Sequence, residues 1–184
     1  MLTDYLAASA EYQESLCLVK KNSEGRVWLI GGFIFRNLIH ELYGGSLPQF
    51  DLNFIVERSK TPLLADDAWT IKENRNGNPK LIKGTISIDF IPLDSVHSIQ
   101  RRRLRPTIEN YLSGVPLSVQ SLAYSVDEKK LMGEVGINSI LNKKIAINDY
   151  EEFLYTTERK GLKGFELLTE KATQLGFGAV LPEQ

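Results

Sequence analysis

Polar and apolar residues alternate along two short stretches of the chain, and each stretch predicts a strand with one buried face. In residues 51–57, "DLNFIVE", the polar positions Asp51 and Asn53 fall on the same face. In residues 85–93, "TISIDFIPL", Asp89 falls on the polar face. If the two strands are neighbours with these faces aligned, we expect their carboxylates to converge.

Apolar residues at helical spacing predict helices at residues 3–20 and 33–43. Between them, the apolar run at 26–30, "RVWLI", predicts a buried strand. The pair Gly31 and Gly32 interrupts the apolar pattern and separates this strand from the second helix. The start of the chain therefore has the order helix, strand, glycine pair, helix.

Turn signals divide the rest of the chain into shorter elements. Residues 69–83 contain two strand-like runs on either side of Asn76-Gly77, which predicts a hairpin. A second hairpin is predicted with its turn near 127–129, and residues 149–176 have a mostly helical pattern. This order of elements predicts an α+β fold, in which a mixed or antiparallel sheet has helices packed on one face.

The overall charge excludes a protein with a basic field over its whole surface. The 184 residues include 22 Lys and Arg and 23 Asp and Glu, which gives a net charge of −1. The basic cluster "RRRLR", residues 101–105, leaves two interpretations open: contact with an RNA backbone or triphosphate, or a solvated loop that pairs with nearby acids. No stretch approaches the roughly 20 apolar residues of a membrane span. We therefore expect a cytoplasmic protein that makes no membrane contact.

The glycine pair Gly31 and Gly32 is a candidate phosphate site. Glycines between a strand and a helix allow the backbone to approach a ligand closely. The helix N-terminus that follows offers N–H groups and the positive end of the helix dipole. For the pair alone, a tight strand-to-helix turn without a ligand is the alternative.

Asp51 and Asp89 are candidate metal ligands. Mg²⁺ prefers oxygen ligands and commonly takes one or two carboxylates together with substrate phosphates. Two such ions would stabilise an in-line displacement at phosphorus. For either residue alone, a solvated acid on the surface of a strand is the alternative.

In combination, these segments resemble the DNA polymerase β-like nucleotidyltransferase superfamily, most closely the head domain of tRNA CCA-adding enzymes and bacterial poly(A) polymerases. The matching parts are "VWLIGG", the helix that carries Arg36, "FDLNFIV" and "ISIDFIPL". The resemblance implies a small, twisted, mixed sheet with helices on one face. It also implies a nucleotidyltransferase-like head over residues 1–150 and, over 151–184, a helical extension similar to the start of the family's neck.

The reaction implied by the resemblance is transfer of a nucleoside monophosphate from an NTP to an acceptor hydroxyl, with Mg²⁺ or Mn²⁺ as cofactor. Gly31, Gly32 and Arg36 would bind the nucleotide. Asp51 and Asp89 would hold the metal ions, and Asp89 would also help to activate the attacking hydroxyl. The acceptor would be RNA or a protein.

The sequence departs from the family pattern at Asn53, which takes the place of the second acid in the catalytic set of Asp51, Asn53 and Asp89. An amide oxygen can bind Mg²⁺ but contributes no charge to a two-metal site. The family arginine position also falls on Phe35, one residue before Arg36.

Three functions therefore stay open. The first is an active nucleotidyltransferase in which Asn53 is a neutral ligand. The second is a catalytically inactive binding module for nucleotide, RNA or a protein partner. The third is a toxin–antitoxin type nucleotidyltransferase that modifies a protein or tRNA.

Overall fold

The computed structural model describes residues 2–44, 51–74 and 77–182. The helices in these residues are α1 (Leu2–Ala8), α2 (Ala10–Lys21), α3 (Gly32–Tyr43), α4 (His97–Arg101), α5 (Ile108–Ser113), α6 (Glu134–Leu141), α7 (Tyr150–Arg159) and α8 (Glu166–Leu175). The strands are β1 (Ser23–Ile30), β2 (Asp51–Ser59), β3 (Thr70–Glu73), β4 (Pro79–Lys83), β5 (Ile86–Pro92), β6 (Ala123–Ser125), β7 (Lys130–Met132), β8 (Lys144–Ala146) and β9 (Gly178–Val180). In the part of the chain that is described, no helix is both long and apolar enough to cross a membrane.

The main sheet contains seven of these strands, in the order β3-β4-β5-β2-β1-β6-β7. β2 and β5 run parallel, and the other neighbouring pairs are antiparallel. The two alternating stretches are therefore neighbours at the centre of a mixed sheet. β3 and β4 pair as the predicted hairpin, although Asn76 of its turn lies outside the described residues.

One face of the sheet packs against α1, α2 and α3. The alternation in β2 places Leu52, Phe54 and Val56 on this face, where they are fully buried. Val19 of α2 and Ile34 of α3 pack in the same core. Burial of each such side chain contributes about 1.5–3 kcal/mol, which explains why the alternation predicted the strand and its buried face.

Helices also lie on the opposite face, which corrects the prediction that helices pack on one face; the α+β class itself is confirmed. Trp28 of β1 and Ile55 of β2 point to this face and pack with Ile99 of α4 and with Ile108 and Leu112 of α5. The two helices have five and six residues. A helical period of apolar residues is not recognisable over so short a length.

The helix predicted at residues 3–20 is two helices, α1 and α2. Ser9 separates them, with φ −81° and ψ 115° in the extended region. Its Oγ accepts a hydrogen bond from the Tyr12 backbone N at 3.2 Å and so caps α2. The apolar stripe continues through both helices, so the periodicity alone did not reveal the break.

The C-terminal segment packs on a second core. Phe153 of α7 and Leu168 of α8 are fully buried there, together with Phe35 of α3 and Leu117. β9 pairs in parallel with β8, so residues 151–184 contain a short strand as well as helices. The division of the chain at residue 150 stays a prediction.

Candidate functional site

The register of three neighbouring strands brings four polar side chains to one face of the sheet. In the parallel pair, Asn53 of β2 is aligned with Asp89 of β5. In the antiparallel pair, Lys80 of β4 is aligned with Asp89. Asp51 lies two residues before Asn53 and therefore shares its face. We call Asp51, Asn53, Lys80 and Asp89 the strand-face group.

Lys80 lies between the two acids of this group. Its Nζ is 3.5 Å from Oδ2 of Asp89 and 3.8 Å from Oδ1 of Asp51. The Asp89 side chain is only 14% exposed, whereas that of Asp51 is 61% exposed. The two carboxylates therefore converge on one cation, the ammonium group of Lys80. Sequence reasoning missed Lys80 because its proximity depends on the pairing of β4 with β5.

Amide groups complete the surroundings of the acids. Asn74 Nδ2 donates a hydrogen bond to Oδ1 of Asp89 at 2.9 Å. Asn53 Nδ2 donates to the backbone carbonyl of Asp51 at 3.3 Å. Asp89 thus accepts a hydrogen bond on one carboxylate oxygen and pairs with Lys80 through the other.

This donor set does not fit a two-metal magnesium centre. Asn53 contributes no negative charge, and the Lys80 ammonium stands within ion-pair distance of both Asp51 and Asp89. Among the described residues, no group of three His, Cys, Asp or Glu side chains is arranged to hold a metal ion. The assignment of Asp51 and Asp89 as metal ligands stays a prediction.

The glycine pair forms the turn from β1 into α3, next to the strand-face group. Gly31 has φ 79° and ψ −155°, a conformation that residues with a side chain rarely adopt. A Cβ on Gly31 would lie 3.4 Å from Nδ2 of Asn53. The turn therefore places the positive end of α3 beside Asn53.

Arg36 lies over the first turn of α3. A Cβ on Gly32 would lie 3.7 Å from Cζ of Arg36, so the guanidinium is next to the glycine pair. The preceding residue, Phe35, is buried in the second core, and the Arg36 Cζ is 5.9 Å from the centre of its ring. The one-residue offset from the family position therefore leaves an arginine beside the glycines.

Two lysines extend the positive charge from Arg36. Lys171 of α8 has its Nζ 5.9 Å from the centre of the same Phe35 ring. Burial lowers the pKa of Lys171, and the nearby charges of Arg36 and Lys160 lower it further. We call Arg36, Lys160 and Lys171 the cation cluster. Arg36 and Lys171 therefore lie beside the same aromatic ring.

A cleft of about 620 Å³ opens at the glycine pair. Gly31, Gly32 and Asn53 line one side of it, and Arg159 and Lys160 from the end of α7 line another. A cleft of this volume is within the range of small-molecule sites. The glycine turn and Lys160 of the cation cluster therefore line one space, which is large enough to hold a nucleotide.

A histidine and a tyrosine that sequence reasoning missed also line the cleft. The rings of His97 and Tyr155 stack with centroids 3.8 Å apart and an interplanar angle of 12°. His97 Nδ1 is 2.9 Å from Oε2 of Glu152. These residues come from α4 and α7, which are far apart in sequence, and no spacing in the chain indicated that they meet.

The basic cluster at 101–105 is tied to acids at the start of α7. Arg101 pairs with Asp149 at 2.8 Å and also with Glu151, and Arg102 is 3.7 Å from Asp149. Arg102 also donates to Oγ of Ser113 at 3.0 Å. For Arg101 and Arg102, the interpretation as a segment that pairs with nearby acids is therefore confirmed.

Comparison with solved structures identifies the fold. A complex of a CCA-adding enzyme with CTP superimposes with a TM-score of 0.66 at 13% identity, over 96% of this chain and 42% of that chain. The Bacillus stearothermophilus CCA-adding enzyme in complex with CTP gives 0.62 at 13% identity, over 94% and 41%. A tRNA-processing enzyme with CTP gives 0.58 at 17% identity, over 84% and 40%. The chain has the nucleotidyltransferase fold.

The nucleotidyltransferase fold confirms, at the level of architecture, the resemblance expected from the sequence. The chain spans about two fifths of the length of these solved structures. No family model matches the chain, and no curated protein matches it significantly. The likeness therefore rests on three-dimensional structure rather than on sequence identity.

Proposed function

We propose that this chain binds a nucleoside triphosphate in the cleft, with the triphosphate at Gly31 and Gly32. The observation that carries the proposal is the position of the Arg36 guanidinium next to Gly32. Lys171 lies beside the same Phe35 ring as Arg36, and Lys160 lines the cleft. Like charges that repel one another are stabilised when an anion enters between them. Arginine and lysine are also the side chains that most often bind phosphate.

We assign a triphosphate as the ligand because the site offers several positive groups. The α3 N-terminus and the Gly31 turn suit one phosphate group, and the cation cluster offers further positive charge beside it. The solved structures of similar fold include complexes with CTP, which supports a nucleotide as ligand. The stacked His97 and Tyr155 rings provide an aromatic surface in the same cleft.

Nucleotide transfer is the second candidate function, and the convergence of Asp51 and Asp89 favours it. In this case the chain would transfer a nucleoside monophosphate from an NTP to a hydroxyl of RNA or of a protein, with Mg²⁺ or Mn²⁺. We rank it second because Asn53 replaces a carboxylate and Lys80 pairs with both acids. The first candidate is the nucleotide binding proposed above, in which the chain is an inactive nucleotide-binding module.

Titration calorimetry with each of the four NTPs tests the proposed binding. We expect saturable binding to the wild type and a 10- to 100-fold weaker affinity for Arg36→Gln, the loss typical of one charge-assisted phosphate contact. Arg58→Gln is the matched control, since Arg58 is 70% exposed on β2 and pairs with Glu24. Absence of saturable binding by any NTP would overturn the proposal.

Incubation with α-labelled NTPs, Mg²⁺ or Mn²⁺, and RNA or protein acceptors separates the two candidates. An inactive module gives no labelled acceptor under any of these conditions. Label transfer that is lost in Asp89→Asn would establish the second candidate instead. The Asp89→Asn variant keeps the size of the side chain, so a loss of transfer would reflect the missing charge.

A further inference from the structure

Lys80 lies within ion-pair distance of both acids of the strand-face group. Its Nζ is 3.5 Å from Asp89 and 3.8 Å from Asp51. The register of β4 and β5 places Lys80 directly opposite Asp89. The pairing of the two strands therefore determines the position of the Lys80 backbone relative to Asp89. The Lys80 side chain is 31% exposed, which is consistent with an ammonium held against the sheet.

This arrangement changes the charge that a divalent ion would encounter. Asp51 and Asp89 contribute two negative charges, Lys80 neutralises one of them, and Asn53 adds none. A Mg²⁺ ion between the carboxylates would have to displace the ammonium or stand next to it, and the two cations would repel each other.

Two amide side chains also contact the acids. Oδ1 of Asp89 accepts a hydrogen bond from Asn74, and the amide nitrogen of Asn53 donates to the Asp51 carbonyl. Asn53 also stands between the acids and the glycine turn, since a Cβ on Gly31 would lie 3.4 Å from its Nδ2. Both carboxylates of the strand-face group are thus already paired with a cation of the protein.

We infer that Lys80 replaces the divalent cation of this site, so that the chain binds nucleoside triphosphates without a metal. The inference rests on the proposed function. A bound metal would neutralise the acids and so limit their repulsion of the triphosphate. The Lys80 ammonium takes this role by neutralising one of the two negative charges. Asn53, as a neutral residue between the acids and the glycine turn, lowers the same repulsion.

Binding of Mn²⁺, followed by electron paramagnetic resonance, tests the inference without any nucleotide. The variants are Lys80→Met, which keeps a long side chain but removes its charge, and Lys80→Met combined with Asn53→Asp. We expect the double variant to bind Mn²⁺ and the wild type to bind none at this site over the same concentration range. Wild-type binding of Mn²⁺ that disappears in Asp51→Asn would overturn the inference.

Affinity for ATP, measured with excess Mg²⁺ and with excess EDTA, provides the second test. We expect the wild type to bind equally under both conditions. Lys80→Met should bind 10- to 100-fold more weakly in EDTA and recover in Mg²⁺, whereas Lys80→Arg should stay independent of metal. Lys130→Met is the control, because Lys130 is exposed on β7 at the other edge of the sheet.

The outcomes separate this inference from the proposed function. A wild type that binds ATP only with Mg²⁺ overturns the role of Lys80 and leaves nucleotide binding intact. A wild type that binds no NTP in either condition overturns the proposed function, and the Mn²⁺ measurement then decides the role of Lys80 alone. Thermal unfolding of Lys80→Met and Lys80→Arg establishes that both variants are folded.

Discussion

Asp149 joins the basic cluster to the start of α7, and its replacement tests whether Arg101 and Arg102 have a structural role. The carboxylate caps α7 by accepting a hydrogen bond from the Glu152 backbone N at 2.7 Å. It also pairs with Arg101 at 2.8 Å. The side chains of Arg101 and Asp149 are 22% and 15% exposed, so solvent screens this pair less than an exposed one.

Two substitutions at this position separate the cap from the ion pair. Asp149→Asn keeps a side chain that caps helices well but removes the charge, and we expect it to lower the free energy of unfolding by about 1–2 kcal/mol. Asp149→Ala also removes the cap, which adds about 1 kcal/mol and gives a total of about 2–3 kcal/mol. For a domain of this size, each kcal/mol corresponds to a decrease in Tm of about 2–4 °C.

Denaturant unfolding and thermal unfolding of the two variants provide the measurement. Asp127→Asn is the control, because Asp127 pairs with Lys20 on the surface, where both side chains are nearly half exposed. We expect this control to change stability by less than about 1 kcal/mol. If Asp149→Asn were no more destabilising than the control, the ion pair would not hold Arg101, and the structural interpretation of the basic cluster would be wrong.

Three further predictions concern the glycine turn, the cation cluster and the second core. Gly31→Ala should destabilise the protein by about 1–3 kcal/mol and abolish ATP binding in calorimetry. Gly44→Ala, at a similar φ of 78° beyond the end of α3, should cost similar stability with ATP affinity unchanged, and equal effects on affinity would contradict the proposed site. Arg36→Gln should raise the pKa of Lys171, because one of the charges that lower this pKa is removed. An NMR titration of the Lys171 side chain measures the change, and an unchanged or lower pKa would refute the cation cluster. Phe153→Ala should lower the free energy of unfolding by about 3–5 kcal/mol in a single cooperative transition, since Phe153 is fully buried with residues of α3. A separate early unfolding transition of the C-terminal segment would contradict the shared core.

The sequence indicated those parts of the fold that local periodicity controls. The alternation in β2 and β5 predicted that Asp51, Asn53 and Asp89 lie on polar faces, and the register of the two strands aligns Asn53 with Asp89. Periodicity describes a strand or a helix by itself. It therefore gave the faces of the central strands correctly.

Features that depend on long-range pairing were not predictable in the same way. Lys80 reaches the acids because β4 adds to the edge of β5, and His97 meets Tyr155 because α4 and α7 pack together. Nothing in the local sequence of Lys80 or His97 distinguishes it from a surface residue. The prediction of a metal site rests on the two acids and on the family resemblance, and the structure adds the lysine that pairs with the acids.

The short helices α4 and α5 illustrate a second limit. Ile99 and Ile108 cover the face of the sheet that was expected to be free of helices. Their segments have one or two buried apolar residues each, and several sequence patterns other than a helix fit so few positions. The available signal in the sequence was the run at 26–30, which is apolar on both sides of β1. Such a strand needs cover on both faces, and Trp28 is buried on the face that α4 and α5 cover.

Chemical-shift mapping of the ¹⁵N-labelled protein during titration with ATP tests the central claim most directly. The account predicts saturable shifts of the backbone amides of Gly31, Gly32, Asn53 and Lys160, which line one cleft, and loss of these shifts in Arg36→Gln. Shifts confined to the segment at 101–105, or no saturable shifts for any nucleoside triphosphate, would contradict it.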